Sequence, residues 1–183
     1  MLTNLPAPFA PLVSGGDGLD RYPAEPRALV ARMAEVYGVP VDRILPVRGL
    51  THGLELVFRL AARDSGAVEA PDAEPYRALA GLYRRPEPGA AAAAVIVRAL
   101  GSPEAVAEMA DRVAPALLVV DEGLAEFSGP PSAAALLANH ANLVVLRSLS
   151  LAYGLAGARV GAAIAQPQTL ARLSEVVEPY ALP

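Results

Sequence analysis

The chain has 183 residues, 54% apolar and 19% charged, with a net charge of −4 and no cysteine. That length fits one domain. The acidic balance, with no basic block longer than Arg84-Arg85, gives no nucleic-acid footprint, and the lack of cysteine excludes disulfides, thiolate metal sites and Cys nucleophiles. All 15 basic residues are arginine, so the chain contains no lysine.

The two histidines, His52 and His140, lie far apart and without ligand spacing, which argues against a zinc or non-haem iron site. The N-terminal stretch MLTNLPAPFAPLVSGG lacks a positive region and is broken by prolines, unlike a signal peptide. No apolar run approaches the roughly 18 residues of a membrane span. A soluble, cytoplasmic protein is expected. The apolar excess implies a thoroughly wrapped core or a surface meant for a partner.

Residues 1–22 read as an irregular, Pro- and Gly-rich arm and 23–183 as one domain. EPRALVARMAEVYGV predicts a helix, with Leu29, Val30, Met33, Val36 and Tyr37 at spacings of three and four and Gly38 closing it. RILPVRG predicts a short strand, and THGLELVFRLAARD an amphipathic helix with Thr51 as N-cap. GAVEAP follows as a strand and EPYRALAGLYRR as a helix with Pro75 in its first turn. RRPEPGAAAAAVIVRAL combines a linker with a strand, and SPEAVAEMADRVA is a helix capped by Ser102 with Pro103 first. PALLVVDEG reads as a fully apolar strand ending in two carboxylates. SAAALLANH is a short helix, NLVVLRSLS a strand and PQTLARLSEVVEPY a last helix. Continuous apolar strands alternating with helices indicate an α/β fold whose mostly parallel sheet is covered on both faces.

Ligands bind such sheets at the carboxyl ends of strands, where Asp121-Glu122 and Ser148 to Ser150 fall. LLVVDE also resembles the acidic strand of a P-loop NTPase, but the required G-x-x-x-x-G-K-[ST] loop needs a lysine. GLAGARVG does not follow the dinucleotide G-x-G-x-x-G pattern. Taken singly, these residues have plain structural readings: Asp121 a strand-end cap, the serines helix caps, Arg159 a surface ion pair, Tyr22 a packing residue.

Together, the order DRYP…YGV…ILPVRG…PY…LLVVDEGLAEF…NLVVLRSLSLAYGLAGARVG resembles histidinol-phosphate aminotransferases, fold-type-I enzymes dependent on pyridoxal phosphate (PLP). The resemblance runs from about Leu19 to the C-terminus and is most specific over 117–165. It implies the three-layer large domain of that family. Asp121 would pair with the pyridinium nitrogen. Ser148, Ser150 and Arg159 would hold the cofactor phosphate, helped by backbone N–H groups after Gly49. Tyr22 would reach a neighbouring subunit's phosphate, and Tyr76 would lie near the ring.

The pattern breaks at the reacting centre. The family's Schiff-base lysine falls at Leu151, which can neither hold the cofactor covalently nor shuttle a proton. Leu124 replaces a tyrosine, Ser102-Pro103 is a weak remnant of an asparagine loop, and Thr51-His52 stands where an acidic pair is usual. His52 reads either as a substitute contact at the phosphate or as a polar residue near a helix start. The chain is expected to lack the family's smaller C-terminal domain, because it stops at EPYALP.

These departures point to a degenerate relative that does not transaminate. It would retain non-covalent binding of PLP or pyridoxamine phosphate, or dimerise with itself or a full-length relative. The alternatives are an active PLP enzyme using a partner-supplied lysine, and a relic or fragment without a function of its own.

Overall fold

The computed structural model describes residues 25–83, 89–99, 101–128, 131–179 and 181; the arm, including Tyr22, lies outside them. Helix α1, Arg27–Tyr37, closes as expected on Gly38, whose φ of 64° lets its N–H reach Ala34 O. Strand β1, Ile44–Val47, leads into α2, Gly49–Arg63. Strand β2, Ala67–Glu69, and α3, Tyr76–Leu82, follow. Next come β3, Ala92–Arg98, α4, Pro103–Val113, and β4, Leu117–Asp121. A short α5, Ala125–Ser128, precedes β5, Leu143–Ser148, then β6, Gly161–Ala165, and α6, Pro167–Ser174.

Several elements depart from expectation. Thr51 does not cap α2; the helix starts earlier, at Gly49, and Thr51 sits inside its first turn. The cap is supplied from within, because His52 Nδ1 accepts from the Arg48 N–H at 3.0 Å. The stretch Ala133–Ala138 is a 3-10 helix, with the Ser132 hydroxyl accepting from Ala134 N. The last helix ends at Ser174. Strand β6 was not anticipated, because GAAIA has a single β-branched residue and little strand propensity. At α4 the expected cap is present, with Ser102 Oγ accepting from Ala105 N at 3.3 Å and Pro103 in the first turn.

The six strands form one sheet in the order β1-β6-β5-β4-β3-β2. β2 to β5 pair in parallel, while β6 runs antiparallel to both β5 and β1. Alternation within each strand divides the core between two faces. Leu117, Val119, Val144, Leu146, Ala163 and Ala165 pack with α2, α3 and α6. Leu118, Val120, Leu143, Val145, Ala162 and Ile164 pack with α1, α4 and the 3-10 helix. This is a three-layer α/β fold around a mostly parallel sheet. It also explains the continuous apolar strands, since burial on both faces stabilises by about 1.5–3 kcal/mol per large side chain. No helix among the described residues is long and apolar enough to cross a membrane.

Candidate functional site

Register places the chemistry along one edge. Arg98, at the end of β3, pairs with Asp121 at the end of β4. Ser148 ends β5 opposite Gly161, which also pairs with Val47 at the end of β1. The carboxyl ends of four strands therefore meet the start of β6 and the N-terminus of α2.

A cavity of about 410 Å³ opens there, lined among others by Leu50, Tyr76, Arg98, Asp121, Ser148 and Leu151. Ser150 and Leu124 also line it. Tyr76 is buried and donates its hydroxyl to Asp121 Oδ2, while Gly123 N–H donates to Oδ1 at 2.9 Å. The Arg98 guanidinium stands over the Tyr76 ring, 5.8 Å from its centroid. Burial first, and the Asp121 contact second, push the Tyr76 phenol up to about 12, so it remains an O–H donor at neutral pH. Leu151 is 64% exposed at the mouth and opens a turn in which Gly154 N–H donates to its carbonyl.

Gly49 and Arg159 form a second cluster beside this cavity. Gly49 has a φ of 75°, and a Cβ there would lie 2.8 Å from Arg159 Nη2. Arg159 is itself left-handed, at φ 51° and ψ 51°, which costs about 1–2 kcal/mol for a side-chain-bearing residue. Its Nη1 donates to Ala156 O at 3.2 Å, and among the described residues no carboxylate lies within ion-pair distance. An arginine held in a strained backbone beside the N-terminus of α2 forms an anion-binding arrangement. Ser150 N–H donates to Ser148 Oγ at 3.2 Å, which fixes the adjoining loop.

Asp121, Tyr76, Ser148, Ser150 and Leu151 thus share one cavity, with Gly49 and Arg159 next to Leu50 at its side. His52 does not join them. Its ring is buried, and with Nδ1 accepting from Arg48 its Nε2 donates to Glu178 Oε2 at 3.2 Å. Its place is a polar network at the helix start with Arg59, Glu55 and Tyr83. Arg98 was missed in the sequence, although register beside Asp121 follows once β3 and β4 are taken as neighbours.

A second polar cluster lies behind the edge. Arg147 donates to Glu122 Oε2 at 2.9 Å and Glu126 Oε1 at 2.6 Å. Glu122, 4% exposed, also accepts from Ser132 Oγ and Ala133 N. The Arg147 guanidinium lies 5.0 Å from the Tyr37 ring centroid.

Residues 99–183 match the family model of class I and II aminotransferases. Histidinol-phosphate aminotransferases of Xanthomonas campestris pv. campestris and Stenotrophomonas maltophilia are 33% and 37% identical, each across 89% of this chain. The matches cover 55% and 54% of those proteins, so the chain spans about half the length of the curated relatives it matches. Among solved structures, L-threonine-O-3-phosphate decarboxylase from Porphyromonas gingivalis superposes with a TM-score of 0.72 at 18% identity, covering 86% of this chain and 57% of that one. Histidinol-phosphate aminotransferase from Sinorhizobium meliloti, in complex with pyridoxal-5'-phosphate, gives 0.71 at 23%, covering 88% and 53%. The chain thus resembles class I and II aminotransferases over residues 99–183, is similar in sequence to histidinol-phosphate aminotransferases, and shares the large-domain fold of its structural neighbours.

Proposed function

We propose that this protein binds a phosphorylated pyridine of the pyridoxal-phosphate type non-covalently and does not itself catalyse transamination. The observation that carries this reading is the presence of Asp121 and Leu151 on one cavity: the acidic end suits a ring nitrogen, while the covalent end offers only a hydrocarbon. The residues fit the group at two points. Asp121 would hold the ring nitrogen, and Arg159, Ser148, Ser150 and the N–H groups following Gly49 would hold the phosphate. The close approach of the Arg159 guanidinium to Gly49, which a Cβ would obstruct, supports the second point.

When bound in an active enzyme, such a cofactor supplies an electron-accepting ring and a carbonyl for amine exchange. Here the protein's own residues bind and orient. The cavity offers no lysine amine to attach the carbonyl or to relay the substrate proton, because the chain has no lysine.

The reading extends to a dimer, with a second copy or with a full-length relative. Leu124, Phe127, Leu151, Tyr153 and Leu155 are exposed apolar side chains, which favours coverage by a partner. Sedimentation equilibrium of the purified chain tests this, and a monomer at all concentrations would remove the homodimer.

Binding itself is tested by calorimetric titration with pyridoxamine phosphate and PLP beside Arg159→Ala. Saturable binding by the wild type, weakened about tenfold or more in the variant, is expected from loss of a charge-assisted contact. No binding at millimolar ligand would overturn the reading.

A further inference from the structure

Arg98 is an exposed arginine on the wall of the cavity, at the end of β3. Parallel register sets it beside Asp121, so an ion pair between the two lay within easy reach. The protein does not make it: the Asp121 oxygens are taken by the Tyr76 hydroxyl and the Gly123 N–H. The Arg98 guanidinium instead stands over the Tyr76 ring, 5.8 Å from its centroid, and among the described residues no carboxylate lies within ion-pair distance of it. A guanidinium carries five N–H donors, more than one phenol can occupy. Arg159, beside Gly49 at the other side of the cavity, is likewise without a carboxylate among the described residues. In a chain of net charge −4, two arginines without carboxylates thus flank one cavity.

We propose that Arg98 is a second anion-binding point and that the ligand is a phosphorylated aromatic acid, its carboxylate on Arg98 and its phosphate at Arg159. The proposal rests on the cofactor-binding reading above for the phosphate end and adds a group to the ligand. Strand order puts the end of β3 three strand intervals from the start of β6, roughly 14 Å. A six-membered ring with its anionic groups on opposite carbons, met by an arginine side chain from each end, fills that gap. The second anion is a carboxylate rather than another phosphate, because Asp121 stands beside Arg98 and repels a doubly charged group more than a singly charged one. A planar carboxylate also matches the guanidinium fork in a bidentate contact. Leu50, Leu124 and Leu151 supply an apolar wall for the ring between the two ends.

The test titrates para-carboxybenzyl phosphate and para-methylbenzyl phosphate, which differ only in the group opposite the phosphate arm, against wild type, Arg98→Met and Arg159→Ala. Met keeps an apolar stem over the Tyr76 ring and removes the charge and its donors. Wild type is expected to prefer the carboxylate probe about tenfold, as one charge-assisted pair gives. In Arg98→Met that preference is expected to vanish, whatever the variant does to the affinity for both probes. Arg159→Ala is expected to weaken both probes about tenfold and to keep the preference.

Equal affinity of the two probes for wild type overturns the proposal, and so does no binding of the carboxylate probe at millimolar concentration. This comparison stands independently of how either variant folds. A preference that survives in Arg98→Met has its source elsewhere and overturns the role of Arg98. Undiminished binding of both probes to Arg159→Ala puts them outside the phosphate site and overturns the two-ended arrangement. Pyridoxamine phosphate, titrated against wild type, tests the underlying reading separately: its failure to bind while the carboxylate preference stands overturns that reading and leaves Arg98 as assigned.

Discussion

The guanidinium of Arg159 lies over Gly49 so closely that a Cβ on the glycine would come within 2.8 Å of Nη2. The atom in the way is the tip of a flexible side chain, so in Gly49→Ala relief comes by Arg159 swinging out. The φ of 75° adds backbone strain. Gly49→Ala is expected to lose about 1–2 kcal/mol of stability and most of the phosphate affinity. Gly161→Ala differs, because its Cβ would meet backbone, 2.7 Å from Arg147 O and 3.2 Å from the Gly49 carbonyl carbon. Neither can yield cheaply, so the larger loss of stability is expected there. Urea unfolding of both variants, with pyridoxamine phosphate titration of the first, checks the contrast.

Leu151 is exposed at the cavity mouth, so an amine can be placed there without burying a charge. Leu151→Lys is expected to leave stability within about 0.5 kcal/mol of wild type. After incubation with PLP and borohydride reduction, peptide mapping should show the cofactor attached at position 151 of the variant, apart from any attachment at the N-terminal α-amine that both proteins share. Absence of attachment at position 151 would contradict the proposal that this position faces the cofactor's carbonyl.

Much of the fold was legible because strands buried on both faces are written as unbroken apolar runs, as in LLVV and LVVL. Strand β6 was not, since Gly161, Ala162 and Ala163 owe their extended conformation to pairing with β5 and β1 rather than to propensity. Asp121, Ser148 and Tyr76 could be singled out because strand ends and a family resemblance mark them. Arg98 could not, because an arginine ending a strand acquires meaning only from its neighbour in register. His52 was ambiguous for a related reason: its partner Glu178 comes from the far end of the chain. The Arg147 network depends likewise on packing among distant segments.

Arg147 is the cation for two carboxylates in a mostly buried setting, with side-chain exposures of 11% for Arg147, 4% for Glu122 and 16% for Glu126. Removing it strands Glu122 without its counter-charge. Arg147→Met is expected to destabilise by about 3–5 kcal/mol. Glu126→Gln should cost only about 1 kcal/mol, because Glu126 Oε2 already lacks a hydrogen-bond partner among the described residues. Equilibrium urea unfolding of the two variants separates these values. Equal effects would show that Glu122 tolerates isolation.

The Glu178 carboxylate accepts from His52 and Arg59 and faces Arg48 at 3.2 Å, tying the last described segment to α2. Burial alone would push its pKa up. Its own backbone N–H, His52 and Arg59 outweigh that and hold it below the ordinary glutamate value of 4.5. Glu55 is shifted the same way: burial opposes, and the Tyr83 hydroxyl and Arg59 prevail. A carboxylate with a lowered folded-state pKa stabilises fully above its unfolded value, and that contribution disappears as pH falls through the folded value. Stability from these two groups is therefore expected to be level above about pH 5 and to decline below about pH 4.5. Glu178→Gln should be less stable than wild type near neutrality, with the difference narrowing as the medium is acidified. Urea midpoints measured across that range decide it, since a gap that stays constant with pH would mean the ionised form of Glu178 is not what secures the segment.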